Sequence, residues 1–209
     1  MGTAERRRRE KEIRRRRILR AAARLFSEGG WTVRVDAVAK KAEVAKGTVY
    51  LYFKNKEELY VGALADGLDI LRDKLEAAAA RHPDPRERLF ALADAYLEFS
   101  QSHNEHFRLM AAMHHGALPD RVRPEVLSAV MEKGFACWQV VAKAIEDGQR
   151  KGLFGDWPPL PTAVVLWAGV TGAATVMAKH KPLEFVGLEG AELFRLMLRL
   201  LHAGLEGRP

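Results

Sequence analysis

Lys46, Gly47, Thr48, Tyr50 and Leu51 are the residues whose types and spacing most suggest a chemistry, and that chemistry is recognition rather than catalysis. Within six positions they offer an ammonium, a hydroxyl and a phenol able to donate to phosphate oxygens and base edges, and a glycine that lets a backbone approach closely. Signatures of catalysis are missing. There is no Walker phosphate loop, no dinucleotide glycine turn, no Gly-x-Ser-x-Gly elbow and no His-Cys-Cys zinc set, and Lys46-Gly47-Thr48 lacks the upstream glycines of a phosphate loop. The expectation is therefore a protein that is not an enzyme and needs no cofactor. Four histidines fall between 103 and 115, and His103-x-x-His106 has i, i+3 spacing that could share a metal with Glu105 or His114. No cysteine pair or His-Glu-x-x-His motif supports that, so surface and pocket histidines without metal are expected. The single cysteine, Cys137, excludes an intramolecular disulfide and suits a reducing cytoplasm as a buried, inert thiol.

The elements that must hold these residues can be read around them. Val35, Val38, Ala39 and Ala42 fall at i, i+3, i+4 and i+7, one apolar face of a short helix. Val44 is apolar within the following turn, and Val49 and Tyr52-Phe53 carry the inner face into a second short helix. Small Ala39 would let the two cross closely. This is the layout of a helix-turn-helix, whose second helix enters the DNA major groove. Lys46, Gly47, Thr48, Tyr50 and Leu51 then point at the groove, and Asn55 is a suitable N-cap for the next helix.

Residues 44–59, VAKGTVYLYFKNKEEL, resemble the signature of tetracycline-repressor (TetR) type transcriptional regulators, Gly-Val-Ser-x-Gly-Thr-Leu-Tyr-x-x-Phe-x-x-Lys-Glu-x-Leu. Three positions depart from it. Glu43 stands where the family often has Gly, Ala45 where it often has a Ser N-cap, and Arg34 near the usual Thr or Ser before the first helix. The resemblance implies phosphate contacts from Tyr50 and Lys56. The DNA-facing set expected from motif and resemblance together is Arg34, Ala45, Lys46, Gly47, Thr48, Tyr50, Leu51, Tyr52 and Lys56. An aromatic core position is the competing reading for Tyr50.

Charge distribution agrees with a nucleic-acid partner. Residues 1–56 carry 17 Lys plus Arg against 6 Asp plus Glu, while residues 57–209 carry 17 against 21. All the excess positive charge thus accompanies the helix-turn-helix, as phosphate neutralisation requires. Residues 1–12 read as a basic, disordered or frayed arm that is no signal peptide, because no apolar run follows the charges. Its arginines would either reach phosphates or an adjacent minor groove, or form a solvated tail. A first helix from about Ile13 to Glu28 presents Ile18, Leu19, Ala22, Leu25 and Phe26, and Gly29-Gly30 ends it. The helix-turn-helix domain is placed at 13–55 and a regulatory and dimerisation domain at 56–209.

A long helix is expected from Lys56 to about Arg81, stopped by His82-Pro83-Asp84-Pro85. Without a Gly- or Ser-rich linker, head and body should be rigidly coupled. The remainder reads as helices near 85–103, 105–115, 124–151, 160–179 and 188–206, so the fold class is all-α. The apolar helix 160–179 meets the length test for a membrane span. Its Ala, Gly and Thr content favours instead a buried helix packing through Ala168, Gly172 and Thr175, and no membrane association is expected. The resemblance implies that the last two helices form a four-helix homodimer interface, with Leu193, Leu196, Met197, Leu200 and Leu201 as the seam. It also implies a ligand cavity, for which Phe99, His103, Phe107, Met110, His114, Trp138 and Trp167 are the candidates. Aromatics and methionines equally fill ordinary helical cores. The variant YLYFKNKE suggests an acyl-coenzyme A effector, with a hydrophobic drug-like or aromatic molecule as the alternative.

The expectation is a cytoplasmic, homodimeric repressor released from a palindromic operator in double-stranded DNA by a small hydrophobic effector. Two other classes remain at this stage: a sequence-indifferent DNA-binding protein driven by the arm, and a helical carrier or enzyme with a vestigial head.

Overall fold

In the computed structural model, residues 3–114, 122–178, 183 and 185–207 are described, and among them the chain forms nine α-helices and no strand. They are α1 (Thr3–Gly29), α2 (Val35–Lys41), α3 (Lys46–Tyr52), α4 (Lys56–Arg81), α5 (Pro85–Ser102), α6 (Asn104–His114), α7 (Pro124–Arg150), α8 (Pro159–Met177) and α9 (Gly190–Glu206). The all-α expectation holds, and the bounds of α4 are those read from the sequence.

One compact unit comprises residues 1–69 and 103–133. Its core is built from Ile18, Leu19, Ala22 and Phe26 of α1, Val38 and Ala39 of α2, Val49 of α3, and Leu59, Val61 and Leu64 of α4. Burying each large aliphatic or aromatic side chain contributes about 1.5–3 kcal/mol before entropy is charged against it. Phe107, Leu109 and Met110 of α6 are also buried, and α6 packs on α1. The compact unit therefore extends beyond residue 55. It takes in the first turns of α4 together with α6, because α1 needs a second apolar neighbour besides α2. At Gly67 the approach of α6 is so close that a Cβ would lie 2.9 Å from His106 Cβ.

The first helix differs from expectation. It begins at Thr3, not near Ile13, so the arm is helical rather than disordered. Nothing between Ala4 and Arg17 breaks a helix, and Arg, Lys, Glu and Ala all favour one. Arg6 pairs with Glu10 at 3.0 Å and Arg16 with Glu12 at 3.1 Å, both i, i+4. Each such pair supports an exposed helix by about 0.2–0.5 kcal/mol.

The second unit comprises residues 70–102 and 134–209. Leu71 and Leu75 of α4, Leu92, Tyr96 and Phe99 of α5, Ala144 and Ile145 of α7, and Phe194 and Leu205 of α9 form its core. The His82–Pro85 breaker also starts α5, since Asp84 Oδ1 accepts from the Arg86 and Glu87 amides at 2.8 and 3.2 Å. Arg88 Nη1 meets Asp147 Oδ2 at 2.6 Å, joining α5 to α7. Helix α8 packs on α9 and α5.

Here a second expectation fails. Helix α8 is not buried within the chain: only Ala163, Val170, Ala173 and Ala174 are, and Ala168 and Gly172 are exposed. The glycine that lets α9 approach is Gly169, where a Cβ would lie 3.1 Å from Leu201 Cδ1, whereas Gly172 faces open space. Its two neighbours, α9 and α5, cover only part of its circumference, which leaves the rest of an uncharged helix uncovered.

Candidate nucleic-acid interface

The turn between α2 and α3 is fixed by backbone hydrogen bonds. The Ala42 amide donates to Val38 O at 2.8 Å, that of Glu43 to Lys40 O at 3.1 Å, and that of Val44 to Ala39 O at 3.0 Å. This closing geometry puts Glu43 at φ 51°, in the left-handed region. A glycine is unstrained there and a side chain costs about 1–2 kcal/mol. The remaining departures from the signature also sit at helix ends. Arg34 is the N-cap of α2 and Ala45 that of α3, and neither side chain makes a capping hydrogen bond.

Helix α3 is anchored by Val49, which is fully buried, while the other side presents the predicted groove-facing set. Tyr50 is 43% exposed and Leu51 83%. Tyr50 is thus no core aromatic. Lys46 and Gly47 are exposed, Thr48 is half-buried, and a Cβ at Gly47 would meet nothing within 4 Å, so backbone could be approached there. Lys46 Nζ lies 2.7 Å from Asp36 Oδ1. The hydrogen bond from Lys46 holds the Asp36 carboxyl below its ordinary range, and the same bond raises the Lys46 ammonium.

Tyr52 and Lys56 are placed differently from the others. Tyr52 is half-buried, and its Oη donates to Lys11 O of α1 at 3.3 Å. Lys56 is half-buried, donates to Trp31 O, and lies 4.5 Å over the Trp31 ring. Trp31 also completes an aromatic cluster with Phe26 and Tyr60 at 6.3 and 5.5 Å. Sequence reasoning missed Trp31; a tryptophan directly after Gly29-Gly30 carries no periodic signal. Asn55 caps α4 as expected, its Oδ1 accepting from the Glu58 amide at 2.7 Å. Glu58 in turn accepts from the Lys54 amide, and that hydrogen bond keeps its carboxyl below the usual range.

The ligand candidates divide between the two units. In the second, Phe99 is fully buried, and Trp138 and Trp167 meet edge to face at 5.5 Å between ring centroids. Tyr96 and Thr171, not singled out from the sequence, share a hydroxyl–hydroxyl hydrogen bond of 2.8 Å beside them, with Phe99 6.5 Å from the Tyr96 ring. Burial pushes the Tyr96 phenol up, so it stays protonated and able to donate at neutral pH. In the first unit Phe107 and Met110 are buried and His103 is half-buried. The side chain of His114 lies outside the described residues.

Comparison with known proteins agrees with this geometry along most of the chain. Residues 18–63 match the family described as bacterial regulatory proteins, tetR family, and residues 89–201 match the tetracyclin repressor-like C-terminal domain. The chain is 30% identical over 158 residues to the HTH-type transcriptional regulator YhgD of Bacillus subtilis, covering 73% of this chain and 78% of that one. A Saccharomonospora viridis protein in complex with choline has the same fold at TM-score 0.74 and 21% identity, over 91% of this chain and 96% of that one. The transcriptional regulator FadR from Bacillus subtilis in complex with stearoyl-CoA matches at TM-score 0.71 and 18% identity, over 90% and 98% of the two chains.

Proposed function

The chain belongs to the TetR family of bacterial DNA-binding transcriptional regulators, and from that premise we propose that it is a homodimeric repressor of a near-palindromic operator, released by a small hydrophobic effector. The observation that carries the DNA reading is α3, held by buried Val49 with Lys46, Tyr50 and Leu51 exposed and Thr48 half-buried. Thr48 and Lys46 read base edges, while Tyr50 and Lys56 serve phosphates, Lys56 after leaving Trp31.

A dimer doubles the base pairs read, since one head covers too few for specificity. Exposed Val165, Ala168 and Gly172 on α8, and Leu196 and Leu200 on α9, support dimerisation through the last two helices. The effector site we favour is lined by Phe99, Trp138 and Trp167, with the Tyr96–Thr171 hydroxyl pair as polar tip. An acyl-CoA is the first effector class to try, because a protein of this fold holds stearoyl-CoA. His103, Phe107 and Met110 lie on or beside α6, which packs on α1 within the head. Effector binding then selects the head spacing that misfits DNA. The setting is the cytoplasm, where the operator is.

Sequencing the genomic fragments that purified protein retains at about 0.15 M salt tests the reading, because that salt weakens contacts made to phosphates alone. An enriched palindrome, lost on adding the effector, is expected. Retention without any motif would overturn it.

A further inference from the structure

We propose that the helical arm of α1 is a second DNA-binding element, laid along the phosphate backbone beside the recognition helix through a basic stripe of Arg7, Arg8, Lys11 and Arg14, with Arg15 at its inner end. The inference rests on the helix-turn-helix reading and adds to it a site outside the motif.

The stripe follows from helical geometry. At 100° per residue these five side chains fall within an arc of about 120°, the same arc that further along α1 carries Ile18, Ala22 and Phe26 into the core. Thus one face of a single helix changes from apolar to cationic where it leaves the head. Carboxylates are kept off this face. Glu10 and Glu12 lie to its sides and are taken up by Arg6 and Arg16, and Glu43 by Arg17. Arg7, Arg8, Lys11 and Arg14 are exposed.

Position points the same way. Tyr52, the last residue of α3, donates to Lys11 O at 3.3 Å, and the Arg15 guanidinium lies 5.8 Å from the Phe53 ring centroid. The stripe therefore begins at the end of the recognition helix and continues from Lys11 to Arg7, about 6 Å at 1.5 Å per residue, on a helix that runs on to Thr3.

The helical state decides what the arm can touch. A helix with side chains is about 10–12 Å across, and the minor groove of B-DNA is about 6 Å wide, so an intact helix cannot enter it. Cationic side chains at i, i+3 and i+4 spacing about Lys11 suit successive phosphates instead. A membrane surface is the wrong partner, because among the described residues of α1 before Ile18 the only large apolar one is Ile13, itself 58% exposed and off the stripe.

The test compares two double variants of equal charge on the full chain. Arg8→Ala with Lys11→Ala removes two stripe positions; Arg9→Ala with Arg16→Ala removes two from the opposite face. Alanine keeps the helix, checked by circular dichroism. Affinity is measured by fluorescence anisotropy on the captured operator and on an unrelated duplex, each from 0.05 to 0.3 M salt. Losing two phosphate contacts should lower the slope of log affinity against log salt by about 1.8, equally on both duplexes. The opposite-face variant should change it by less than half as much. Trimming the operator to the palindrome should erase the difference between the two variants. Equal slope changes in both variants would reduce the arm to bulk charge and overturn the proposal. A stripe variant that alters preference for A·T-rich flanks would overturn it in favour of an unfolded arm in the minor groove. Wild-type protein that binds neither duplex would sink the helix-turn-helix reading, and this proposal with it.

Discussion

Lys46 and Asp36 form an ion pair across the two helices of the motif, 2.7 Å between Nζ and Oδ1, with both side chains partly open to solvent. The recognition helix thus keeps one of its own cations engaged until DNA arrives. Arg34 is held by the same carboxylate at 3.2 Å. A phosphate or base edge that takes Lys46 must compete with Asp36, which weakens binding to every sequence.

Replacing Asp36 with Asn should therefore raise affinity for operator and unrelated duplex alike, by about threefold to tenfold at low salt, and steepen the salt dependence by about one unit for the freed charge. Anisotropy titrations on both duplexes check this. A gain confined to the operator would show that the pair sets base preference instead.

The departures from the family signature carry a stability prediction. Ala45 is an N-cap without a side-chain acceptor, so Ala45→Ser should stabilise the head by about 0.5–1 kcal/mol. Glu43→Gly should relieve the left-handed residue, offset in part by the entropy of glycine and by loss of the 3.8 Å contact with Arg17, for a net gain of up to about 1 kcal/mol. Thermal unfolding of each variant decides, and a loss at Glu43→Gly would mean the Arg17 contact outweighs the strain.

These same positions show what the sequence could and could not disclose. The motif was legible because Val35, Val38, Ala39 and Val49 obey a local period, and all four are buried. The ends of α4 were legible because Asn55 and the His82–Pro85 breaker act within a few residues. Helicity of the arm was hidden: a dense basic run suggests repulsion, and the compensating Arg6–Glu10 and Glu12–Arg16 pairs appear only once helical spacing is assumed. Exposure of α8 was hidden for another reason. Composition says that Val165, Ala168 and Gly172 favour cover, but not whether the cover comes from this chain. Tyr96–Thr171 and Lys56–Trp31 join residues with no pattern between them, so only the fold brings them together.

Arg88 and Asp147 supply a pH prediction. Burial opposes ionisation of Asp147, but hydrogen bonds from Arg88 and Arg150 outweigh it and hold the carboxyl below its ordinary value. A group depressed on folding adds stability above its unfolded pKa, near 3.9, and that stability is lost as pH falls through the folded value. Arg88 also donates to His82 O at 2.8 Å and Pro83 O at 3.2 Å, so it pins the α4–α5 turn as well. Arg88→Ala should cost about 2 kcal/mol at pH 7, and Arg88→Lys nearly as much, because one ammonium cannot serve three directions. Urea unfolding at pH 7 and pH 3 should show Asp147→Asn weaker than wild type at pH 7 and less sensitive to acid. Equal acid sensitivity would remove Asp147 from the account.

The exposed seam of α8 and α9 yields the sharpest test of assembly. Leu200 is 66% exposed, Val165 61% and Leu196 42%, more apolar surface than solvent contact favours on two adjacent packed helices. If a second copy covers them, each leucine contributes about 1.5–3 kcal/mol to association. Leu200→Glu then places a charge in the seam of both subunits, twice per dimer and facing its own copy across a two-fold axis. Sedimentation at micromolar concentration should show wild type as a dimer and the variant as a monomer with unchanged helical content. Operator affinity should fall at least a hundredfold, toward that of a single head, while the weak binding to unrelated duplex should persist, since α3 and the arm are untouched. A variant that remains dimeric would move the interface away from α9. One that becomes monomeric yet keeps full operator affinity would show that a single head suffices for recognition.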